Sequence, residues 1–317
     1  MKRIVKILAK PLLLLGIPLT WLSSTWLRLV MKVGPGKIDD AIFMQTGILP
    51  VPDHYYQPLI NPRKHLTKSL RNNRELPGID MNTTGQLSLL AKFNYNDELV
   101  KFPLEKTQDI AFYYQNSSYE SGDAEYLYNI IRHFKPKTLI EIGSGYSTLM
   151  AKNAIDKNKE DTTYTCRHIC IEPYEQHWLE KTGVTLLRKK VETIEKGLFL
   201  ELEANDILFI DSSHVIRPQG DVLFEFLELL PMLKPGVIIH VHDIFTPKDY
   251  PDEWIYTHKL WNEQYLLEAF LTCNEQFTII GALNYLAHRH RAELAAKCPI
   301  FAGQTGREPG SFWMIRK

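Results

Sequence analysis

The stretch Lys137-Thr-Leu-Ile-Glu-Ile-Gly-Ser-Gly-Tyr-Ser-Thr148 decides the fold of this chain. It begins as a short apolar strand, passes through a Gly-x-Gly turn, and predicts a helix that starts at Ser147-Thr148 and runs to Ala154. Glycine is needed where the backbone passes close to a ligand or takes a positive φ angle. In open α/β sheets, the turn after the first strand is a place where nucleotides bind. The stretch therefore predicts a nucleoside-binding α/β sheet.

The next predicted strand supports this interpretation. His168-Ile-Cys-Ile-Glu172 ends in an acid, which is the group that accepts hydrogen bonds from a ribose in such folds. The dinucleotide fingerprint is G-x-G-x-x-G/A, and the third position here is Thr148, so the match to it is incomplete. We therefore expect a nucleoside-containing cofactor, and a nicotinamide-dependent oxidoreductase stays open as one class.

A second class is favoured by the acid that precedes the turn. Glu141 stands two residues before the first glycine, and Glu-Ile-Gly-Ser-Gly resembles motif I of class I S-adenosylmethionine-dependent methyltransferases. The resemblance implies that the acid lies beneath the methionine end of the cofactor and that the loop backbone lies against it. On this basis the expected S-adenosylmethionine-binding residues are Glu141, Gly143, Ser144, Gly145, Ser147, Glu172 and Asp211.

The pattern downstream predicts the whole sheet. Strands are expected near 138–142, 167–172, 184–189, 206–211 and 237–243, and they alternate with helices, which indicates a parallel sheet. Two later apolar runs, 277–283 and 311–316, are expected to pair as a terminal antiparallel hairpin. The predicted fold class is α/β, with a mostly parallel, seven-stranded, Rossmann-like sheet of the methyltransferase kind and an N-terminal cap of helices and loops.

Polar side chains end the fourth and fifth predicted strands, in Asp211-Ser-Ser-His214 and His240-Val-His-Asp243. Ligands of open α/β sheets bind outside the carboxyl ends of the strands, where these two clusters meet. The placement is similar to metal-dependent O-methyltransferases of the catechol and macrolide-sugar types. That resemblance implies a divalent ion at Asp211, His242 and Asp243, and catalysis by Asp211 with His214 as base. His242 stands where an oxygen ligand is usual, which favours a softer ion than magnesium.

The C-terminal half resembles a bacterial methyltransferase family of the methyltransferase 24 type. The resemblance is carried by Phe209-Ile-Asp-Ser-Ser-His214, His240-Val-His-Asp-Ile-Phe-Thr-Pro247 and Trp261-Asn-Glu-Gln-Tyr-Leu-Leu267. Some members are associated with glycan biosynthesis, so the implied substrate is a small molecule or a sugar of a glycan. The side chains expected to line a sugar site are Trp254, Trp261, Asn262 and Gln264. A methyltransferase-like protein that does not transfer methyl groups remains a third hypothesis.

Composition excludes several classes of protein. An apolar content of 44% supports a core, and a net charge of zero gives no electrostatic case for a nucleic-acid partner. Four cysteines are too few for a disulfide framework. Cys166, His168 and Cys170 alternate along one strand, and we expect ordinary buried side chains there instead of a metal site.

The chain is expected to have three parts: residues 1–36, a cap over 37–110, and the catalytic domain over 111–317. The first part carries basic residues around an uncharged, tryptophan-containing stretch, 11–27, which suits an anchor at the inner face of the cytoplasmic membrane. A hydrophobic helix packed on the protein itself or on a second subunit stays open as the alternative. Weaker candidates for substrate or cofactor contact are His54, Tyr55, Tyr56, Asn116 and Asp123.

Overall fold

The computed structural model describes residues 10–54, 56–108 and 110–317. The chain divides into two compact units, Met1–Thr67 and Lys68–Lys317. This boundary lies inside the segment 37–110 that the sequence suggests as one cap.

The first unit is mainly helical. Its helices are α1 (Ile17–Val33), α2 (Lys37–Thr46) and α3 (Pro62–His65). Glycine ends each of the two longer helices, because Gly34 and Gly47 take the positive φ angles of 102° and 70° at the C-caps. Among the described residues, no helix is both long enough and apolar enough to cross a membrane.

The second unit alternates strands and helices. Before the sheet come α4 (Thr83–Ala91), α5 (Asn96–Leu99) and α6 (Asp123–Phe134). The parallel part then runs β1 (Thr138–Ile142), α7 (Tyr146–Asp161), β2 (Arg167–Ile171), β3 (Thr185–Leu187), α8 (Gly197–Leu200), β4 (Ile207–Ile210), α9 (Asp221–Leu223) and β5 (Ile238–Val241). The last part is α10 (Asp252–Tyr256), α11 (Glu263–Leu271), β6 (Phe277–Ala282), α12 (Leu283–Arg289), α13 (Arg291–Ala295), α14 (Pro299–Ala302) and β7 (Phe312–Arg316).

The seven strands form one sheet in the order β3-β2-β1-β4-β5-β7-β6. The five strands from β1 to β5 are parallel, and β7 runs antiparallel between β5 and β6. The predicted strands and the antiparallel pairing of the last two are thereby confirmed. The strand order reverses between β1 and β4, which is the switch point where open α/β sheets bind ligands.

The core covers both faces of the sheet. Successive residues of a strand point to opposite faces, so Phe209 packs with one buried cluster and Ile210 with the other. All five residues of β1 are buried, as expected for a parallel strand covered by helices on both sides. This burial fixes the positions of the strand ends.

Residues 68–110 pack on the sheet, and this explains why the unit boundary precedes them. The Nδ2 group of Asn82 donates to the carbonyl of Ile279 at 2.8 Å, and the backbone N–H of Ala282 donates to Gln86 at 2.7 Å. The side chains of Leu90 and Phe93 are buried in the core of the second unit. The sequence shows no periodicity here, because these contacts are made by short elements to distant strands.

Burial of one carboxyl group predicts a pH dependence of stability. Glu125 is buried and accepts backbone hydrogen bonds from Gly122, Ile300 and Phe301 at 2.7–3.0 Å. Burial raises its pKa to about 7 from an ordinary value of 4.5. The folded state holds this proton more tightly than the unfolded state, so the contribution is full below about pH 4.5 and is lost as pH rises through about 7.

We expect the Glu125→Gln variant to lack this dependence. Between pH 5 and pH 8, the free energy of unfolding of the wild type should fall by about 2–3 kcal/mol relative to the variant. Urea unfolding of both proteins at the two pH values measures the difference. Parallel behaviour of the two proteins would contradict the raised pKa.

Candidate active site

The loop after β1 lies against the end of β4. Gly143 has a φ angle of 74°, and its backbone N–H donates to the carbonyl of Ile171 at 3.0 Å. A Cβ atom at this position would lie 1.8 Å from the carbonyl oxygen of Asp211. Glycine is required here both by the positive φ angle and by this close approach. Around Gly145, in contrast, no atom of the described residues, apart from its neighbours in the chain, lies within 4 Å of an added Cβ.

Glu141 lies beneath this loop, and hydrogen bonds within the chain hold its carboxylate there. Ser147 donates to one of its carboxylate oxygens at 2.5 Å, and Thr148 donates to the other at 2.7 Å. His168 Nε2 lies 3.1 Å from the second oxygen, and the Cys170 thiol lies 3.4 Å from it. Because the chain itself occupies both oxygens, Glu141 fixes the start of α7 and the loop, and it is not among the residues that line the cleft.

A cleft of about 410 Å³ opens at the switch point between β1 and β4. Four of the expected cofactor-binding residues line it, namely Gly143, Ser144, Glu172 and Asp211. Gly145 and Ser147 are not among the lining residues. Further lining side chains that the sequence did not single out include Lys190, Glu192, Arg217 and Asp221. Their loops carry no Gly-x-Gly turn and no acid that closes an apolar strand, so sequence patterns could not identify them.

Glu172 is oriented within this cleft by the backbone. The N–H groups of Tyr174 and Glu175 both donate to its Oε1 atom at 2.8 Å. Its Oε2 atom has only a long contact, 3.4 Å, with the N–H of Ser144. Oε2 therefore keeps lone pairs for hydroxyl groups of a ligand.

We expect Glu172→Ala to weaken S-adenosylmethionine binding about tenfold or more. A hydrogen bond to a charged acceptor contributes roughly 1.5–3 kcal/mol, and the ribose would lose this acceptor. Titration calorimetry with S-adenosylhomocysteine measures the change, and Glu160→Ala is the matched control, because Glu160 is an exposed residue of α7 that does not line the cleft. Unchanged affinity in Glu172→Ala would refute the ribose assignment.

The ends of β4 and β5 bring a cluster of acids and imidazoles together. His214 Nε2 lies 3.2 Å from Asp211 Oδ1 and 3.7 Å from Asp243 Oδ2. His242 Nδ1 lies 3.5 Å from Asp211 Oδ1 and 3.6 Å from Asp243 Oδ1. Both imidazoles thus face the same two carboxylates. All four predicted catalytic and metal-ligating residues meet at this point.

Glu263 is a member of this site that the sequence did not indicate. It is the first residue of α11, is fully buried, and its Oε2 atom lies 2.7 Å from His214 Nδ1. The backbone N–H groups of Asn262 and Glu263 also donate to the carbonyl of His214 at 3.1 and 3.2 Å. Glu263 therefore holds the ring so that Nε2 faces the two aspartates.

The charges of the cluster follow from this geometry. Burial alone would raise the pKa of Asp211, but His242 and His214 beside it hold the pKa well below its usual range. Burial alone would lower the pKa of His242, but Asp243 and Asp211 outweigh it and raise the pKa to about 9. At neutral pH the imidazoles are thus protonated and neutralise the carboxylates. A divalent cation could replace these protons, since metal binding to such ligands releases them.

Asp211, His214 and Asp243 could hold a metal ion, because each offers one ligand atom and these atoms lie within 4.8 Å of one another. The expected ligand His242 is not part of this group, but its Nδ1 atom faces the same two carboxylates at 3.5 and 3.6 Å. A second group of this kind in the described residues is Glu141, His168 and Cys170 beneath the loop. The donor set at the strand ends therefore fits a divalent ion.

The remaining aromatic candidates lie either in the core or at the border of this site. His240 is a core residue, bonded to Ser311 at 3.0 Å and stacked on Phe209. Trp261 packs on the His214 ring with centroids 4.1 Å apart, so it borders the site, and Trp254 lies 5.0 Å from Trp261.

The amide and acid candidates mainly support loops. Asn262 accepts from the N–H of Ile216, Gln264 bonds the backbone of Phe245 and Lys248, Asn116 bonds within its own loop, and Asp123 bonds Arg307 and Ser311. His54 and Tyr56 belong to the first unit, and Tyr55 lies outside the described residues.

Parts of this chain are similar in sequence to known proteins. Residues 140–244 match the methyltransferase 24 family, described as a methyltransferase domain. An uncharacterized protein of Archaeoglobus fulgidus is 28% identical over 180 residues, which cover 53% of this chain and 80% of that protein.

Solved structures to which this chain shows some similarity include an O-methyltransferase from Bacillus cereus in complex with S-adenosylhomocysteine. It is 12% identical, has a TM-score of 0.35, and covers 73% of this chain and 91% of that one. CmcI is also 12% identical. Its apo structure has a TM-score of 0.38 with 90% and 98% of the two chains covered, and its Mg-SAM structure has a TM-score of 0.35 with 87% and 95% covered.

The matched residues run from within β1 to just beyond the end of β5. They include the Gly143 loop, Glu172, and the acids that end β4 and β5. Residues 140–244 therefore match a methyltransferase domain of the methyltransferase 24 family, which supports the predicted class I S-adenosylmethionine-dependent methyltransferase.

Proposed function

We propose that this enzyme methylates an oxygen atom of a sugar in a glycan or lipid-linked saccharide. The observation that carries the proposal is the position of Asp211, which lines the cofactor cleft and also lies 3.2 Å from His214. A methyl donor in the cleft would lie beside the groups that can prepare a hydroxyl for attack. Holding the two reactants in this way can contribute up to roughly 7–11 kcal/mol to catalysis.

We propose His214 as the general base. A sugar hydroxyl is a weak nucleophile until it loses its proton, and the imidazole of His214 can accept that proton once it has itself become neutral. The bond to Glu263 occupies Nδ1, so Nε2 is the nitrogen directed at the cluster. General base catalysis typically contributes ~10²–10⁴-fold to the rate.

With His214 as base, a divalent ion would be held by Asp211, His242 and Asp243. Such an ion would supply a Lewis acid that lowers the pKa of a bound hydroxyl. A donor set of two carboxylates and an imidazole favours an ion softer than magnesium.

The acceptor side of the cluster favours a sugar. Trp254 and Trp261 are partly exposed, and the ammonium group of Lys259 lies 4.1 and 4.0 Å from their ring centroids. Aromatic faces of this kind can stack on a sugar ring, and Trp261 contacts His214 directly. The stacked sugar would therefore present its hydroxyl to the base.

The pH dependence of turnover tests the base. Burial alone would lower the pKa of His214, but its bonds to Asp211 and Glu263 raise the pKa well above the ordinary 6.5. Only the neutral form accepts a proton, so kcat/KM should rise with pH along a limb that lies above 6.5. In Glu263→Gln, which keeps an acceptor and loses the charge, the limb should move to lower pH. A limb that stays in place would exclude the proposed pairing.

Methyl-labelled S-adenosylmethionine and a panel of sugars and lipid-linked saccharides test the reaction itself. We expect label on a sugar oxygen, loss of activity in EDTA, and recovery when Mn²⁺ is added. Full activity in EDTA would remove the metal from the mechanism. Label on nitrogen acceptors alone would contradict the oxygen assignment, and cofactor binding without any transfer would favour a non-methylating relative.

We also propose that the enzyme works at the cytoplasmic face of a membrane. The support is the basic and apolar N-terminal segment, whose cations Lys2, Arg3, Lys6 and Lys10 precede an uncharged stretch. A lipid-linked acceptor would be located at the same surface.

A further inference from the structure

The first unit exposes an unusual amount of apolar surface. Most of the exposed large hydrophobic side chains of the described residues lie between Leu12 and Ile60. Trp21 and Trp26 are 68% and 62% exposed, and Ile38 on α2 is 78% exposed. Exposed apolar patches of this kind mark surfaces that bind another apolar surface.

On α1 the exposed apolar residues form a stripe. It consists of Leu19, Leu22, Trp26, Leu29 and Val33, which are 52–80% exposed. Their spacings of three and four residues place them on one side of the helix, since a helix turns by about 100° per residue. The sequence of α1 contains no acidic residue, so no negative charge lies on this side of the helix.

The opposite side of α1 faces its own unit. It contributes Ser24, Leu27, Arg28, Met31 and Lys32 to a groove of about 840 Å³, whose other wall comes from residues 50–64. The helix therefore turns its charged side toward the protein and leaves its apolar stripe uncovered. This is the reverse of the pattern of an ordinary surface helix, whose apolar side packs on the core.

Charge decides between two occupants of the stripe. Cations flank α1 in the sequence, at Lys10 before it and at Lys37 after it, and no acid precedes Asp39. A symmetric dimer through the stripe would bring the cations of two chains together without an acid of α1 to pair with them. Anionic lipid headgroups would neutralise them, and tryptophan is favoured at the boundary between headgroups and hydrocarbon.

We propose that α1 lies in the plane of an anionic bilayer, with the stripe in the hydrocarbon boundary and with Lys10 and Lys37, which stand beyond its two ends in the sequence, at the level of the headgroup phosphates. This inference extends the membrane association proposed above and does not depend on the methyl-transfer chemistry. Helices that combine an apolar stripe, tryptophan and flanking cations bind bilayers in this orientation.

Vesicle flotation of the full-length protein tests the proposal. The vesicles are pure phosphatidylcholine, or phosphatidylcholine with 30% phosphatidylglycerol as a roughly physiological anionic content. We expect binding to the anionic vesicles that weakens with salt. Trp26→Glu should lower it about tenfold or more, because a charge would enter the hydrocarbon boundary. Ser24→Glu, on the opposite side of α1, adds the same charge and should have little effect. Lys10→Gln and Lys37→Gln should each lower it roughly fivefold.

Equal vesicle binding by Trp26→Glu and Ser24→Glu would overturn the proposal. A second outcome would also overturn it. In that outcome the wild type does not bind vesicles, and light scattering shows that it forms a dimer that Trp26→Glu dissociates. Calorimetry with S-adenosylhomocysteine on each variant separates this surface from the active site. A variant that no longer floats but still binds the cofactor and transfers methyl groups normally would show that the substitution acts on the membrane surface alone.

Discussion

Replacing His214 by alanine is expected to lower turnover by ~10²–10⁴-fold, the typical contribution of a general base. The imidazole faces Asp211 and Asp243 and does not line the cofactor cleft, so binding of S-adenosylhomocysteine should persist. Steady-state kinetics and calorimetry on the same preparation measure the two effects.

His288→Ala is the control for this variant. His288 is an exposed imidazole whose Nε2 atom lies 3.3 Å from Glu308, and its loss should leave turnover unchanged. Full activity in His214→Ala would remove the base assignment. Loss of both turnover and cofactor binding in that variant would indicate a structural role instead.

Replacing Gly143 by alanine is expected to destabilise the fold by roughly 3–5 kcal/mol. The new Cβ would lie 1.8 Å from the backbone carbonyl of Asp211, and backbone at the end of a buried strand cannot move aside as a flexible side chain can. The positive φ angle adds further strain. Urea unfolding measures the loss.

Gly145→Ala is the matched control, because no atom of the described residues, apart from its chain neighbours, lies within 4 Å of the added Cβ. Its unfolding midpoint should stay close to that of the wild type, whatever its effect on cofactor affinity. Equal midpoints for Gly143→Ala and the wild type would show that the loop after β1 can move away from β4.

The sequence predicts the sheet and the strand-end residues because both rest on local patterns. Apolar runs closed by Glu172, Asp211 and Asp243 mark strands whose carboxyl ends must meet along one edge of a parallel sheet. The glycine at 143 is recognisable because a short strand precedes it and a helix follows.

The partners of these residues depend on tertiary packing, which local patterns do not encode. Glu263 meets His214 only because the start of α11 folds back onto the loop after β4. The sequence places Glu141 beneath the cofactor, and the hydroxyls of Ser147 and Thr148 that occupy its oxygens are contacts that the pattern does not reveal.

The boundary of the N-terminal unit has a similar explanation. Gln86 and Phe93 lie in a segment without sheet periodicity. Gln86 nevertheless accepts a hydrogen bond from Ala282 of β6, and Phe93 is buried in the core of the second unit. Short helices that pack on a sheet contribute few residues each, so their apolar pattern is too short to read from the sequence.

A crystal structure of the full-length protein with S-adenosylhomocysteine and Mn²⁺ tests the central claim most directly. We predict the ribose hydroxyls within hydrogen-bond distance of Glu172 and the nucleoside in the cleft between β1 and β4. The sulfur atom should point toward Asp211, with an anomalous manganese peak between Asp211 and Asp243. A nucleoside bound away from Glu172, or a sulfur atom directed away from the cluster of Asp211, His214 and Asp243, would contradict the account.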